Sequence, residues 1–120
     1  MSDYFEIHNV KRDTLLSITN RHRPLTNLIK KANSQLSFKD LNYIADYFLL
    51  RQLLDDLMDI KFDKEEGVST FATKFGEEQT KTSLSFILNR MQRSHSKIAK
   101  KHHNILQLFK RFYFNRIFKS

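Results

Sequence analysis

Basic side chains recur at regular spacing in the second half of the chain, and their chemistry suits the binding of phosphate groups. Arg90, Arg93, Lys97, Lys100 and Asn104 lie at intervals of three and four residues, which places them on one stripe if this segment is a helix. Guanidinium and ammonium groups neutralise nucleic-acid phosphates without reading the base sequence. The residues predicted to contact nucleic acid are Arg90, Arg93, Lys97, Lys100, Lys101 and Arg111.

The charge of the chain is distributed unevenly along its length. Residues 79–120 contain ten basic residues and no acidic one, whereas residues 1–78 contain eleven basic and thirteen acidic residues. The net charge of +8 therefore comes from the C-terminal segment. Surface helices usually mix the two signs, so the imbalance favours a polyanion or an acidic partner. A face that is basic only for solubility stays open as the alternative.

The same segment contains a short arginine and histidine motif. Arg90-Met91-Gln92-Arg93-Ser94-His95 resembles the Arg-x(4–6)-His signature of HEPN-domain ribonucleases over six of the 120 residues. The resemblance implies a small all-α bundle in which Arg90 and His95 act on the phosphodiester of RNA at a dimer interface. The position after the arginine, often polar in that family, is Met91 here. Ribonuclease activity is kept as an alternative to the non-enzymatic protein that we predict.

Metal and cofactor chemistry finds little support in the sequence. His95 and His102 are seven residues apart, or ~10 Å along a helix, too far for one metal ion with bonds of ~2 Å. Both are in register with Leu88 and Phe109, so we predict partly buried histidines of the bundle. The chain has no Cys and only two Gly, which excludes cysteine zinc sites and glycine-rich phosphate loops. We predict neither metal nor cofactor.

Aromatic residues interrupt the basic residues near the C-terminus. On a helical wheel, Phe114 and Phe118 form a strip apart from the core positions Ile105, Phe109 and Phe112. A second apolar strip among cations is typical of self-association, of docking to a partner or of an anionic membrane surface. It also suits stacking on single-stranded bases. We predict a partner-binding strip, with oligomerisation as the favoured use.

An apolar seam predicts the helix that positions these groups. Leu84, Met91, Ile98, Ile105 and Phe112 recur every seven residues, so residues 79–120 have the period of one helix. Such a helix would reach roughly 50–60 Å. It therefore either breaks, near residues 101–104, or projects beyond the rest of the fold.

The preceding residues are predicted to form the other helices and to supply counter-charges. Asp46, Asp55, Asp56 and Asp59 are expected on the polar side of the central helix, and the last three could pair with the basic segment. The predicted elements are a helix over residues 3–20 capped by Asp3, a break at residues 21–24, a helix over 25–33, a helix over 38–60 capped by Ser37, a polar connection over 61–67, and a short helix with Phe71 and Phe75 ending at Gly76.

These patterns predict one helical domain over residues 1–120. The fold class is an all-α bundle of about four main helices with a long basic C-terminal helix. The predicted function is non-enzymatic, largely sequence-independent binding of DNA or RNA within a homo-oligomer or larger complex. The alternative is a protein–protein module (an adaptor, inhibitor or assembly subunit) that docks through the basic and aromatic C-terminal helix, for example on an acidic protein. No apolar run approaches 18 residues, and we expect a cytoplasmic protein.

Overall fold

The computed structural model describes residues 10–109 and Arg111, without the side chains of Ile105 and Phe109. This part of the chain contains helices and no strand, which confirms the all-α class. The seven helices are α1 (Arg12–Ala32), α2 (Phe38–Met58), α3 (Ile60–Glu66), α4 (Phe71–Phe75), α5 (Glu77–Gln92), α6 (Lys97–Lys101) and α7 (His103–Phe109). Three of them have 16 residues or more, so a bundle of four main helices is not confirmed.

Helix α2 lies at the centre of the described fold and contacts α1, α3, α4, α5 and α6. It begins as predicted at a Ser37 cap, whose hydroxyl accepts a hydrogen bond from the Asp40 backbone N–H at 3.1 Å. Its apolar side is buried against α1, α4 and α5 because Leu side chains follow one another at helical spacing. The largest fully buried side chains of α2 are Leu49, Leu50, Leu53 and Leu54. Phe48 and Met58 of the same helix are exposed.

The predicted break at residues 21–24 is wrong, because α1 continues through Pro24. Proline removes one backbone N–H and the hydrogen bond that it would donate to the carbonyl of Asn20. Asn20 and Pro24 are both exposed, so water can satisfy that carbonyl. Ile18 before the proline is buried and Leu25 after it packs on the core, so tertiary contacts hold both halves in one helix. The predicted Asp3 cap lies outside the described residues.

The predicted polar connection over residues 61–67 is also wrong, since α3 occupies most of it. Gly67 ends α3 in the left-handed conformation, with φ +70°. The short helix around Phe71 is confirmed: Phe71 is fully buried and its ring centroid lies 4.8 Å from that of Phe75. Gly76 ends this helix as expected.

A continuous C-terminal helix is not confirmed by the described residues. Helix α5 ends at Gln92, α6 begins at Lys97, and His102 separates α6 from α7. The chain restarts at Lys97 because the Ser96 hydroxyl accepts a hydrogen bond from the Ala99 backbone N–H at 2.9 Å. Within the described part of the chain, no helix is both long enough and apolar enough to cross a membrane.

Candidate functional site

Arg90, the first of the predicted phosphate contacts, is bound to Asp46 of α2. Its Nε donates to Asp46 Oδ2 at 3.0 Å and its Nη2 donates to Asp46 Oδ1 at 2.5 Å. The Asp46 side chain is 5% exposed and that of Arg90 is 43% exposed. Arg90 also lies over the Phe86 ring, 5.2 Å from its centroid. The charge of Arg90 is therefore compensated by Asp46, and only its remaining N–H groups are free to contact a phosphate.

His22 of α1 also contacts Asp46, and this contact was not predicted from the sequence. Its Nε2 lies 3.0 Å from Asp46 Oδ1, close enough for an ion pair if the imidazole is protonated. The same nitrogen is buried and has no well-aligned hydrogen bond within the described structure. The expectation that Asp46 lies on the polar side of α2 is wrong: it is 3% exposed, because His22 of α1 and Arg90 of α5 cover it.

The other predicted cations are exposed: Arg93, Lys97, Lys100, Lys101 and Arg111. Within the described residues, none of the five forms an ion pair with a carboxylate. Lys97, Lys100 and Lys101 occupy positions i, i+3 and i+4 of α6, which share one side of a helix. The break between α5 and α6 separates them from the helix of Arg90, so the single predicted stripe is divided.

Helix α6 is attached to the core through Asp40 of α2. Its Oδ1 accepts a hydrogen bond from the Ile98 backbone N–H at 3.3 Å. Burial acts to raise the pKa of Asp40, but hydrogen bonds from the Ile98 backbone, Ser37, the Lys97 backbone and Ser96 together lower that pKa below its usual value. The Asp40 carboxylate thus fixes the backbone of α6, whose lysines remain exposed.

Pairing of Asp55, Asp56 and Asp59 with the basic segment is not seen among the described residues. Burial raises the pKa of Asp56, and the nearby charge of Arg21 and a hydrogen bond from the Phe71 backbone oppose that shift. Asp56 therefore interacts with α1 and α4. The exposed cations of residues 93–101 are left without these carboxylates.

Arg90 and His95 line one cleft, of about 340 Å³, together with His22 and Asp46. His95 and His102 are exposed, so the prediction of partly buried histidines is wrong. The prediction assumed one continuous helix. Because α5 ends at Gln92, His95 and His102 do not lie on the same helix face as Leu88. The His102 ring packs edge-on to Tyr43 at 6.4 Å between centroids. No group of three potential metal ligands occurs in the described residues.

The predicted partner-binding residues Phe114 and Phe118 lie outside the described residues.

Comparison of the chain with models of known protein families, with characterised proteins and with solved structures found no match. We therefore infer the function from the residues of this chain alone.

Proposed function

We propose that this protein binds nucleic acid, largely without sequence preference, through the exposed cations of residues 93–101 together with Arg111. The observation that carries the proposal is the absence of carboxylate partners for these cations in the described structure. Unpaired cations gathered in a short stretch of chain attract a polyanion, and phosphate contacts of this kind carry no base information. No chemical step is part of the proposal.

The way in which α6 is attached supports this use of its lysines. Ser96 caps the helix and Asp40 accepts from the Ile98 backbone, so both contacts use the backbone of α6 and leave its Lys side chains in solvent. Lys100 also borders a small cleft of about 170 Å³ with His103 and Ser94. Cations on a fixed backbone lose less conformational freedom on binding than cations on a disordered tail.

The proposal is tested by removing the charges of residues 93–101. The variant Arg93→Ala, Lys97→Ala, Lys100→Ala, Lys101→Ala is compared with Arg12→Ala, Arg51→Ala, Lys61→Ala, Lys64→Ala, which removes the same charge from exposed positions elsewhere. Binding of a fluorescent duplex DNA is followed by anisotropy. The first variant should lower the steepness of the salt dependence by about 3 to 4 on the log–log scale, and the control variant should leave it nearly unchanged.

An acidic protein is the rival partner for the same cations. Polyglutamate added as a competitor separates the two: it should displace DNA only at charge concentrations well above those of unlabelled DNA. Equal potency of polyglutamate and DNA would favour the protein–protein alternative. Identical binding of duplex DNA by the two charge-removal variants would also favour the protein–protein alternative.

RNA cleavage is a second candidate, favoured by the cleft that Arg90 and His95 share. The Arg90 guanidinium is engaged by Asp46 in this structure, so its charge is already compensated, and an RNA phosphate would meet only the N–H groups that do not bind Asp46. Incubation of labelled RNA with the purified protein and with His95→Ala tests the idea, and His103→Ala provides an exposed histidine control. Cleavage that disappears only in His95→Ala would establish the enzyme. RNA that remains intact with the unmodified protein would remove this candidate.

A further inference from the structure

Two clefts meet at Phe38, the first residue of α2. One, of about 340 Å³, lies between α2 and the end of α5, and the other, of about 300 Å³, lies between α2 and α1. Both are lined by His22, Phe38 and Asn42, so the two clefts are adjacent, and together they are called the Phe38 groove. The Phe38 groove is separate from the lysine side chains of α6, which line neither cleft.

The Phe38 side chain is 78% exposed, the highest value among the exposed large apolar residues of the described structure. A single exposed phenylalanine needs no special explanation. Phe38 differs from the other exposed apolar residues because it lines two clefts, and both clefts are also lined by polar residues. The Asn42 side chain is fixed next to it, donating through Nδ2 to the Phe38 carbonyl at 2.9 Å.

The charges around the Phe38 groove are almost all positive. Arg23 and Lys30 of α1 line the second cleft and Lys39 lines the first. The one acid among the described residues that line either cleft is Asp46, which is buried and neutralised by Arg90. Arg23, Lys30 and Lys39 form no ion pair within the described residues. An aromatic ring between cations suits a ligand that has both planar rings and negative charges.

We propose that the Phe38 groove binds single-stranded nucleic acid, with Phe38 stacking on a base and Arg23, Lys30 and Lys39 neutralising phosphates on either side. Stacking on an aromatic side chain combined with a basic groove is the usual way in which proteins hold single strands without reading their sequence. A duplex hides its base faces, so Phe38 could not stack on them, and the duplex would be bound through Arg93, the lysines of α6 and Arg111. This inference rests on the proposed function and adds a second site and a preference for single strands.

The test measures the affinity of a labelled oligothymidylate and of a duplex of the same length for three variants. Phe38→Ala should weaken binding of the single strand by about 5- to 100-fold and leave duplex binding unchanged. Phe38→Tyr, which keeps the ring, should bind the single strand like the unmodified protein. Phe62→Ala is the matched control, because Phe62 is 62% exposed on α3 beside Asp63, and it should change neither affinity. Thermal melting followed by circular dichroism verifies that each variant folds.

The groove proposal would be overturned if the Phe38→Ala variant bound the single strand as tightly as the unmodified protein does. The proposed function would survive that result if removal of the charges at residues 93–101 still weakened duplex binding. Polyglutamate binding that falls in Phe38→Ala in parallel with single-strand binding would also overturn it, because the groove would then select negative charge without bases. Failure of the unmodified protein to bind either nucleic acid would remove both proposals.

Discussion

Arg90 holds Asp46 through both carboxylate oxygens, although the two residues are 44 positions apart in the chain. Arg90→Met should destabilise the protein by up to about 3 kcal/mol, because the buried Asp46 carboxylate loses both guanidinium hydrogen bonds and keeps, among the described residues, only the contact with His22 at 3.0 Å. Replacement of both residues, by Arg90→Met and Asp46→Leu, should recover most of that loss, since no charge then remains to be desolvated. Urea unfolding at pH 7 measures both free energies of unfolding.

Arg93→Met is the control for the Arg90 prediction, because Arg93 is exposed at the end of α5 and forms no ion pair in the described structure. It should change the free energy of unfolding by less than about 0.5 kcal/mol. Equal effects of the two single substitutions would show that the buried pair contributes nothing to stability.

The hydrogen bond between Asp40 and the Ile98 backbone predicts a pH-dependent attachment of α6. The pKa of Asp40 is lowered in the folded chain from its ordinary value of 3.8, so the folded state favours the ionised form. The resulting stability is fully present above pH 3.8 and is lost as the pH falls through the lower folded pKa. Asp40→Asn should weaken the same attachment at neutral pH.

Amide hydrogen exchange of Ile98 and Ala99, followed by NMR, reports on that attachment directly. Exchange should accelerate at both amides in Asp40→Asn, whereas amides in the middle of α2, such as that of Leu53, should keep their protection. Unchanged protection of Ile98 in this variant would mean that Asp40 does not hold α6.

Gly76 connects α4 to α5 in a conformation that only glycine adopts readily, with φ +92° and ψ 164°. Gly76→Ala should cost about 1–3 kcal/mol of stability. Gly67, with φ +70° and ψ 21°, is in the left-handed helical region that asparagine tolerates, so Gly67→Asn should cost less than about 1 kcal/mol. A Cβ at either position would meet no atom within 4 Å, so the difference comes from the backbone alone. Equal urea midpoints for the two variants would contradict this assignment.

Local signals in the sequence predicted the elements that depend on neighbouring residues. Ser37 begins α2, and the leucines at helical spacing form its buried side, because caps and periodic burial are properties of a short stretch of chain. The passage of α1 through Pro24 depends instead on tertiary contacts made by Ile18 and Leu25. Such contacts override local preference and have no signature in the sequence around the proline.

The candidate site was predicted less completely than the fold, for a related reason. The basic residues are visible in the sequence, but which of them are free is decided by distant partners. The charge of Arg90 is compensated by Asp46. The apolar period continues beyond residue 92, so it did not predict that α5 ends before Arg93. Phe38 was placed correctly at the start of α2, whereas the two clefts beside it arise only when α1, α2 and α5 pack together.

The salt dependence of duplex DNA binding tests the central claim most directly. Five exposed cations, Arg93, Lys97, Lys100, Lys101 and Arg111, predict a slope of about −4.5 when the logarithm of the binding constant is plotted against that of the salt concentration. Anisotropy titrations starting at about 50 mM salt supply that slope. A value near −4.5 supports an interface built from these phosphate contacts, and a slope near zero, or no binding at the lowest salt, would contradict it.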